Sequence, residues 1–252
     1  PIDWEAYQTG EKELGIVDER EFWTLAVGRE LTDPPRYAED FLGSKLMRNW
    51  EDALDTAIDA DAAQLNLAYV SAEPELYSWY YRDREDGESD LSNLPLTAYL
   101  INLGMTSMNA PLDVRILDTV GLATPIAARM PRDPEGRVGH DKFLDPAWQA
   151  ADTDTYLDGL PPFISSMRAK QARAALRSPE ISELLATSRE PMSWERFWKN
   201  VRYSLGDGRT LQLSSDPGLY IDADTRRAIR RGANPGMDGA QIAWPVEAHS
   251  GE

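Results

Sequence analysis

The sequence contains no cysteine. Disulfides, thiolate nucleophiles, zinc knuckles and iron–sulfur clusters are therefore excluded. A chain without thiols suits an exported protein, and equally a source in which cysteine is rare. Histidine is nearly as scarce. His140 and His249 are the only two, too few for a multi-histidine metal site. No window approaches the roughly 18 uninterrupted apolar residues of a membrane span, and mean hydropathy is −0.51. Positive charge is also in short supply. Lys and Arg number 26 against 43 Asp and Glu, leaving a net charge of −17. That balance argues against duplex DNA or a polyanionic lipid as the main partner, because phosphate binding needs a cationic footprint; a local basic patch is still compatible with it. No nucleic-acid partner is expected. Finally, there is no Walker loop, dinucleotide fingerprint, G-x-S-x-G elbow, H-E-x-x-H or EF-hand loop. No cofactor, no metal and no catalytic residue are expected within this chain.

What is present suffices for a full hydrophobic core. The 252 residues make one large domain or two small ones. The chain opens at Pro1, without a Met, a basic n-region or an apolar h-region, and reads as an excised part of something longer. Residues 1–252 are expected to form a single domain, with 232–252 as a loosely ordered tail.

Periodicity gives the element order. Asp18 and Glu21 resemble a capping box before a helix that carries Phe22, Trp23, Ala26 and Val27 and ends at Gly28. A short helix is expected near 36–42. A longer one is expected from Ser44 to about residue 60, with Leu46, Trp50, Leu54, Ala57 and Ile58 on one face. Leu65, Leu67 and Tyr69 alternate as in a strand. Further strands are expected over 96–103 and at Val114–Leu117. The charged segment 82–90 reads as a solvated loop, and 121–129 as a short helix with Pro125 in its first turn. The second half reads as helical: 161–177 with Phe163, Ile164 and Met167 inside, a helix opened by Pro179, and one capped by Ser193. In this last helix Trp194, Phe197, Trp198, Val201 and Leu205 form a stripe that reads as core. The fold class expected is α/β, a small central sheet with flanking helices and a mostly helical C-terminal half.

Four constellations carry candidate chemistry. Asp118 sits at a strand end before Gly121, and Arg137, His140, Asp141 and Lys142 follow within a short stretch. Such groups bind sugar hydroxyls or a phosphate; alternatively, Asp118 caps the following turn and Arg137 pairs with it to hold the loop down. Tyr77, Trp79, Tyr80 and Tyr81 form an aromatic cluster suited to stacking on sugar C–H faces, or simply to core and rim packing. If the stripe of Trp194, Phe197 and Trp198 lies near a membrane, its rings suit the headgroup level. Arg226, Arg227, Arg230 and Arg231 form a basic run that suits anionic headgroups, an acidic partner or plain solvent.

Several segments together carry a resemblance: residues 102–109 (NLGMTSMN), 112–129 (LDVRILDTVGLATPIAAR) and 136–142 (GRVGHDK), with 17–20 (VDER) and 174–180 (AALRSPE). The chain resembles the extracytoplasmic C-terminal domain of the terminal β-(1→2)-arabinofuranosyltransferases of mycobacteria and corynebacteria. The resemblance implies a part of a polytopic GT-C type membrane glycosyltransferase. That enzyme takes arabinofuranose from decaprenyl-phosphate-arabinose outside the cytoplasmic membrane and caps the arabinan of arabinogalactan and lipoarabinomannan. In GT-C enzymes the catalytic acid lies in the first extracytoplasmic loop, which this chain lacks. The implied partners are the membrane-embedded part of the same polypeptide, the arabinan acceptor and the lipid-linked donor; the implied location is the periplasmic side of the membrane. Two roles follow. The chain positions the acceptor, with Tyr77, Trp79, Tyr80, Tyr81, Asp118, Arg137, His140, Asp141 and Lys142 as the substrate-facing residues. Or it braces the membrane part and touches no sugar.

Overall fold

A computed structural model describes Glu13, 19–87, Ser89, 91–101, 103–137 and 139–233. The expectations for Asp18, for Asn102 and Val138 and for the tail beyond 233 lie outside these residues. Four strands form one mixed sheet: β1 (Gln64–Ala72), β2 (Glu75–Arg82), β3 (Thr97–Leu100) and β4 (Arg115–Asp118), in the order β2-β1-β3-β4. β1 and β2 are an antiparallel hairpin, whereas β1, β3 and β4 run parallel. Helices cover the sheet: α1 (Glu19–Ala26), α2 (Trp50–Asp59), α3 (Leu103–Met108), α4 (Pro125–Ala128), α5 (Pro146–Ala151), α6 (Ser166–Ala175), α7 (Pro179–Arg189), α8 (Trp194–Leu205), α9 (Asp207–Thr210) and α10 (Ala223–Arg230). The fold is α/β, as the sequence predicts.

The two faces of the sheet differ in chemistry. One carries Leu65, Leu67, Ala98, Leu100 and Ile116, which pack with Trp50, Leu54 and Ala57 of α2. Trp50 is fully buried and its indole N–H donates to Asn109 O at 2.8 Å, so its one polar atom is satisfied. The other face is polar yet buried: Gln64, Asn66, Arg82, Thr97 and Arg115 are all shielded from solvent. The stretch Asp152-Thr153-Asp154-Thr155, just past α5, covers it and is buried throughout. Asp152 Oδ2 accepts from Tyr99 Oη at 3.1 Å, from Arg189 at 2.7 Å and from Arg115. Arg173 of α6 donates to the carbonyls of Thr153 (3.0 Å) and Thr155 (2.6 Å) and pairs with Glu85 (3.1 Å). Gln64 links Arg82 to Thr155. Burial opposes ionisation of Asp152, but Arg115 and Arg189 outweigh it and hold the carboxyl below its usual range. In Asp154 burial prevails over Ser89 and Arg84, and the carboxyl is pushed up.

Several sequence expectations change here. The helix expected from Ser44 is divided: Asn49 adopts a left-handed conformation (φ 59°) between a short turn at Lys45–Met47 and α2. The third strand stops at Leu100, and α3 occupies 103–108. The helix expected from Pro161 begins at Ser166, where Ser165 accepts from Arg168 N at 3.2 Å, leaving Phe163 and Met167 exposed. The segment after β2 is not a solvated loop. Arg84 bridges to Thr155, Glu85 meets Arg173, and Leu91 and Leu94 are buried. In the basic run, Arg226 donates to the carbonyls of Gly218 and Ile221, Arg227 pairs with Asp224, and Ile229 is buried. The largest correction concerns α8. Ser193 caps it as expected, but Trp194, Phe197, Trp198 and Leu205 face outward.

The turn after β4 is organised by one carboxylate. Asp118 is fully buried, and its two oxygens accept from the backbone N–H groups of Val120, Gly121, Leu122, Ala123 and Thr124. In return its own N–H donates to Thr124 Oγ1 at 2.8 Å. Gly121 is required by this turn: its φ is +85°, and a Cβ there would lie 2.6 Å from the backbone of Ala128. Burial again opposes ionisation, but the N–H groups of Ala123, Leu122 and Thr124 bring the carboxyl below its usual range.

Asp118→Ala strands several buried donors and should cost about 3 kcal/mol, a fall in Tm of about 6–12 °C by calorimetry. Because the folded-state pKa of Asp118 is depressed, its contribution is present above the ordinary carboxylate range and lost as pH falls through it. Stability of Asp118→Asn should therefore decline less steeply on acidification than that of the wild type. Asp152→Ala leaves Arg115 and Arg189 buried without their counter-charge; about 3–5 kcal/mol of destabilisation is expected in urea unfolding.

Candidate functional site

β3 and β4 end side by side at Leu100 and Asp118, beside the middle of β1, and the carboxyl ends of parallel strands are where open sheets receive ligands. A cavity of about 390 Å³ opens there, within the range of about 300–1,000 Å³ usual for small-molecule sites. Several separate segments of the chain supply its wall. Asn66 and Tyr69 come from β1, Tyr80 and Arg82 from β2, Tyr99 from the end of β3, and Thr119 from just beyond β4. Pro146 and Gln149 of α5 close one side, with Phe143 and Phe163 from the loops before α5 and α6.

The polar groups on this wall are buried and only partly satisfied. Asn66 Oδ1 accepts from Gln64 Nε2 at 3.0 Å, but Asn66 Nδ2 has no partner. Arg82 donates to Gln64 Oε1 at 2.8 Å and to Tyr80 Oη at 3.2 Å, whereas its Nε has none. Thr119 Oγ1 is likewise buried and unpartnered. A buried orphan donor costs about 1–3 kcal/mol, so three in one cavity call for a ligand or ordered water to complete them. Burial lowers the Arg82 pKa, opposed by the nearby Tyr80. The guanidinium lies 5.7 Å from the Tyr80 ring centroid. Tyr69 and Tyr77 stack edge to face at 5.4 Å on the rim. The Tyr77 hydroxyl donates to Glu75 at 2.9 Å; its pKa is pushed up to about 12 by burial and by that carboxylate, so it stays neutral. The cavity thus combines aromatic faces with hydroxyl, amide and guanidinium donors, a set suited to a neutral polyhydroxyl ligand. Among the described residues no group of three or more His, Asp or Glu is gathered for a metal.

The structure divides the residues singled out by sequence. Tyr77 and Tyr80 line the cavity. Trp79 and Tyr81 line a second cleft of about 530 Å³ with Arg48, Asn49 and Asp52, and Tyr77 and Tyr80 reach the wall of that cleft as well. There Trp79 packs on Trp50 with centroids 4.9 Å apart and donates to Arg48 O at 3.0 Å. Asp118 sits beside Thr119, but its oxygens are taken up by the turn. Asp141 is buried and paired with Arg132, and its carbonyl accepts from Asp133 N at 2.6 Å. Arg137 and His140 are engaged in interactions of the protein's own, and His140 N donates to Arg137 O at 2.8 Å. Arg137, His140, Asp141 and Lys142 are not among the described residues that line the cavity; Phe143 is. Asn66, Arg82, Thr119, Phe143, Gln149 and Phe163 escaped sequence reasoning. The only signal was polar residues alternating with the apolar face of β1.

A family model, the AftB family C-terminal domain, matches residues 43–223. A terminal β-(1→2)-arabinofuranosyltransferase of Corynebacterium glutamicum is 43% identical over 237 residues, covering 92% of this chain and 34% of that protein. A terminal β-(1→2)-arabinofuranosyltransferase of Mycobacterium tuberculosis is 32% identical over 197 residues, 75% of this chain and 30% of that protein. The chain spans about a third of the length of these curated relatives. No solved structure matches. With most of its length matched, the chain belongs to the AftB family, in the part that forms the C-terminal domain.

Proposed function

We propose that this chain is the single extracytoplasmic C-terminal domain of a membrane arabinofuranosyltransferase, and that it holds the arabinan acceptor for transfer. The observation that carries the reading is the cavity at the strand ends. Asn66, Arg82 and Thr119 line it and carry buried atoms without partners (Nδ2, Nε and Oγ1), and Tyr69, Tyr77 and Tyr80 line it as well. Sugar hydroxyls complete such donors and acceptors, while the less polar C–H face of a furanose ring lies on the tyrosines. A net charge of −17 favours a neutral glycan over a polyanion.

In this reading the chemistry belongs to the rest of the polypeptide. Decaprenyl-phosphate-arabinose is the donor there, and the capped arabinan is that of arabinogalactan and lipoarabinomannan, on the periplasmic side of the membrane. Arg82 and Asn66 orient an acceptor residue, Thr119 and Gln149 contact its hydroxyls, and Phe143 and Phe163 shield it from water. Asp118 acts only through the turn that sets Thr119. Among the described residues no helix is long and apolar enough to cross a membrane. A second reading, a bracing domain that touches no sugar, is favoured by one observation: Asp118, Asp141 and Trp79 all make structural contacts within the protein.

A synthetic arabinofuranosyl oligosaccharide titrated into the isotopically labelled chain separates the readings. Backbone NMR shifts clustered at 66–69, 80–82, 119 and 143–149 are expected. No shift at millimolar sugar would favour bracing. Asn66→Ala should weaken binding about fivefold, equivalent to about 1 kcal/mol, the net value of one hydrogen bond.

A further inference from the structure

Helix α8 is mounted the wrong way round for a globular protein. Its apolar residues recur at i, i+3, i+4, i+7 and i+11: Trp194, Phe197, Trp198, Val201 and Leu205. Such a stripe ordinarily packs inward. Here the opposite side is inside. Arg196 is the one buried residue of the helix. It pairs with Glu183 and, at 3.0 Å, with Glu190 of the segment that ends α7. Asn200 accepts from Arg196 Nε at 2.8 Å and donates to Thr187 O at 2.9 Å. The polar side is thereby fixed, and the stripe is held outward. Trp194 is 79% exposed, Trp198 52% and Leu205 74%, and Met192 extends the row at 68%. The three rings stack edge to face, Trp194 on Phe197 at 5.7 Å and Phe197 on Trp198 at 5.2 Å.

We infer that α8 docks onto the headgroup layer of a phospholipid bilayer, with the Trp194, Phe197 and Trp198 rings inserted and the helix axis lying in the plane of the surface. None of the stripe's residues lines either of the two cavities described above. Trp beside Phe and Leu is the composition of interfacial helices, since the indole spans the boundary between acyl chain and water. Charge points the same way. In a chain of net charge −17, α8 and α9 carry Arg196, Lys199, Arg202 and Arg209 against Glu195 and Asp207. Arg202 of α8 and Arg209 of α9 are exposed and hold no carboxylate partner among the described residues, and Lys199 is exposed and paired only within the helix, to Glu195. Lipid phosphates complement these cations. The acidic remainder of the molecule is repelled by the same surface, so the flank of α8 selects the side that turns toward it. Nothing here depends on sugar binding by the strand-end cavity, and each reading fails on a different ligand.

The test is flotation of the chain with vesicles of phosphatidylcholine containing a minor fraction of phosphatidylglycerol, at physiological salt. The wild type should float with the vesicles, and brominated phosphatidylcholine should quench its tryptophan fluorescence. The triple variant Trp194→Ser, Phe197→Ser, Trp198→Ser should partition at least tenfold less, with an unchanged Tm because the rings are exposed. Arg202→Glu with Arg209→Glu, which leaves the stripe intact, should reduce partition several-fold. Equal partition of wild type and triple variant would overturn the inference. So would absence of flotation, and if the wild type then dimerised in solution through the same residues, the stripe would be a protein contact.

Discussion

The fold depends on a buried run of four polar residues, Asp152-Thr153-Asp154-Thr155. It lies between the polar face of the sheet and the helical half, and both sides converge on it. Arg115 and Tyr99 reach it from the strands, and Arg173 and Arg189 from α6 and α7. A buried carboxylate is tolerable only with counter-charge and hydrogen bonds, and each of these comes from a segment distant in sequence. Burial of apolar surface supplies most of the gross stabilisation, through Trp50 and Leu54 on one face and Trp148, Ile126 and Leu144 on the other. The polar run does something different. It fixes the relative position of sheet and helices, because a small slip would leave charges unpaired in a medium where that is costly.

The cavity follows from that arrangement. The covering run passes over the lower part of the sheet, and the strand ends project beyond it. There the polar face continues through Asn66, Tyr80 and Arg82, and Asn66 Nδ2 and Arg82 Nε have no protein partner. Asp118 belongs to the same logic at smaller scale. It gathers five backbone N–H groups into a tight turn, so that β4 can end abruptly and Thr119 can face the opening.

Much of the element order was legible in the sequence. Alternation at Leu65 and Leu67 marked β1, the VRIL run marked β4, Pro125 and Pro179 opened helices, and Ser193 capped α8. These are local signals, set by backbone geometry within a few residues. Burial of the polar face was not legible. Gln64, Asn66, Thr97 and Arg115 alternate with apolar residues just as solvent-facing positions do, and their cover arrives some tens of residues later. The orientation of α8 was hidden for a related reason. A stripe reveals that a helix has two sides; which of them meets the protein is decided by Glu183 and Glu190 of a neighbouring element. Of the aromatic cluster, Tyr80 shares the polar face with Arg82, while Tyr77, Trp79 and Tyr81 alternate to the other, a division that follows from the period of two once β2 is known to be a strand.

The unpartnered atoms of Asn66, Arg82 and Thr119 carry a thermodynamic consequence. Their water was stripped when the chain folded, before any ligand came. A sequence selected for robustness alone would place apolar groups of the same shape at these positions and gain tolerance to heat. Retaining them leaves the protein holding a deficit that ordered water or an incoming molecule with matching hydroxyls or carbonyls can make good. Occupancy would therefore tighten the β1–β2 hairpin, because two of the three residues, Asn66 and Arg82, lie where β1 pairs with β2.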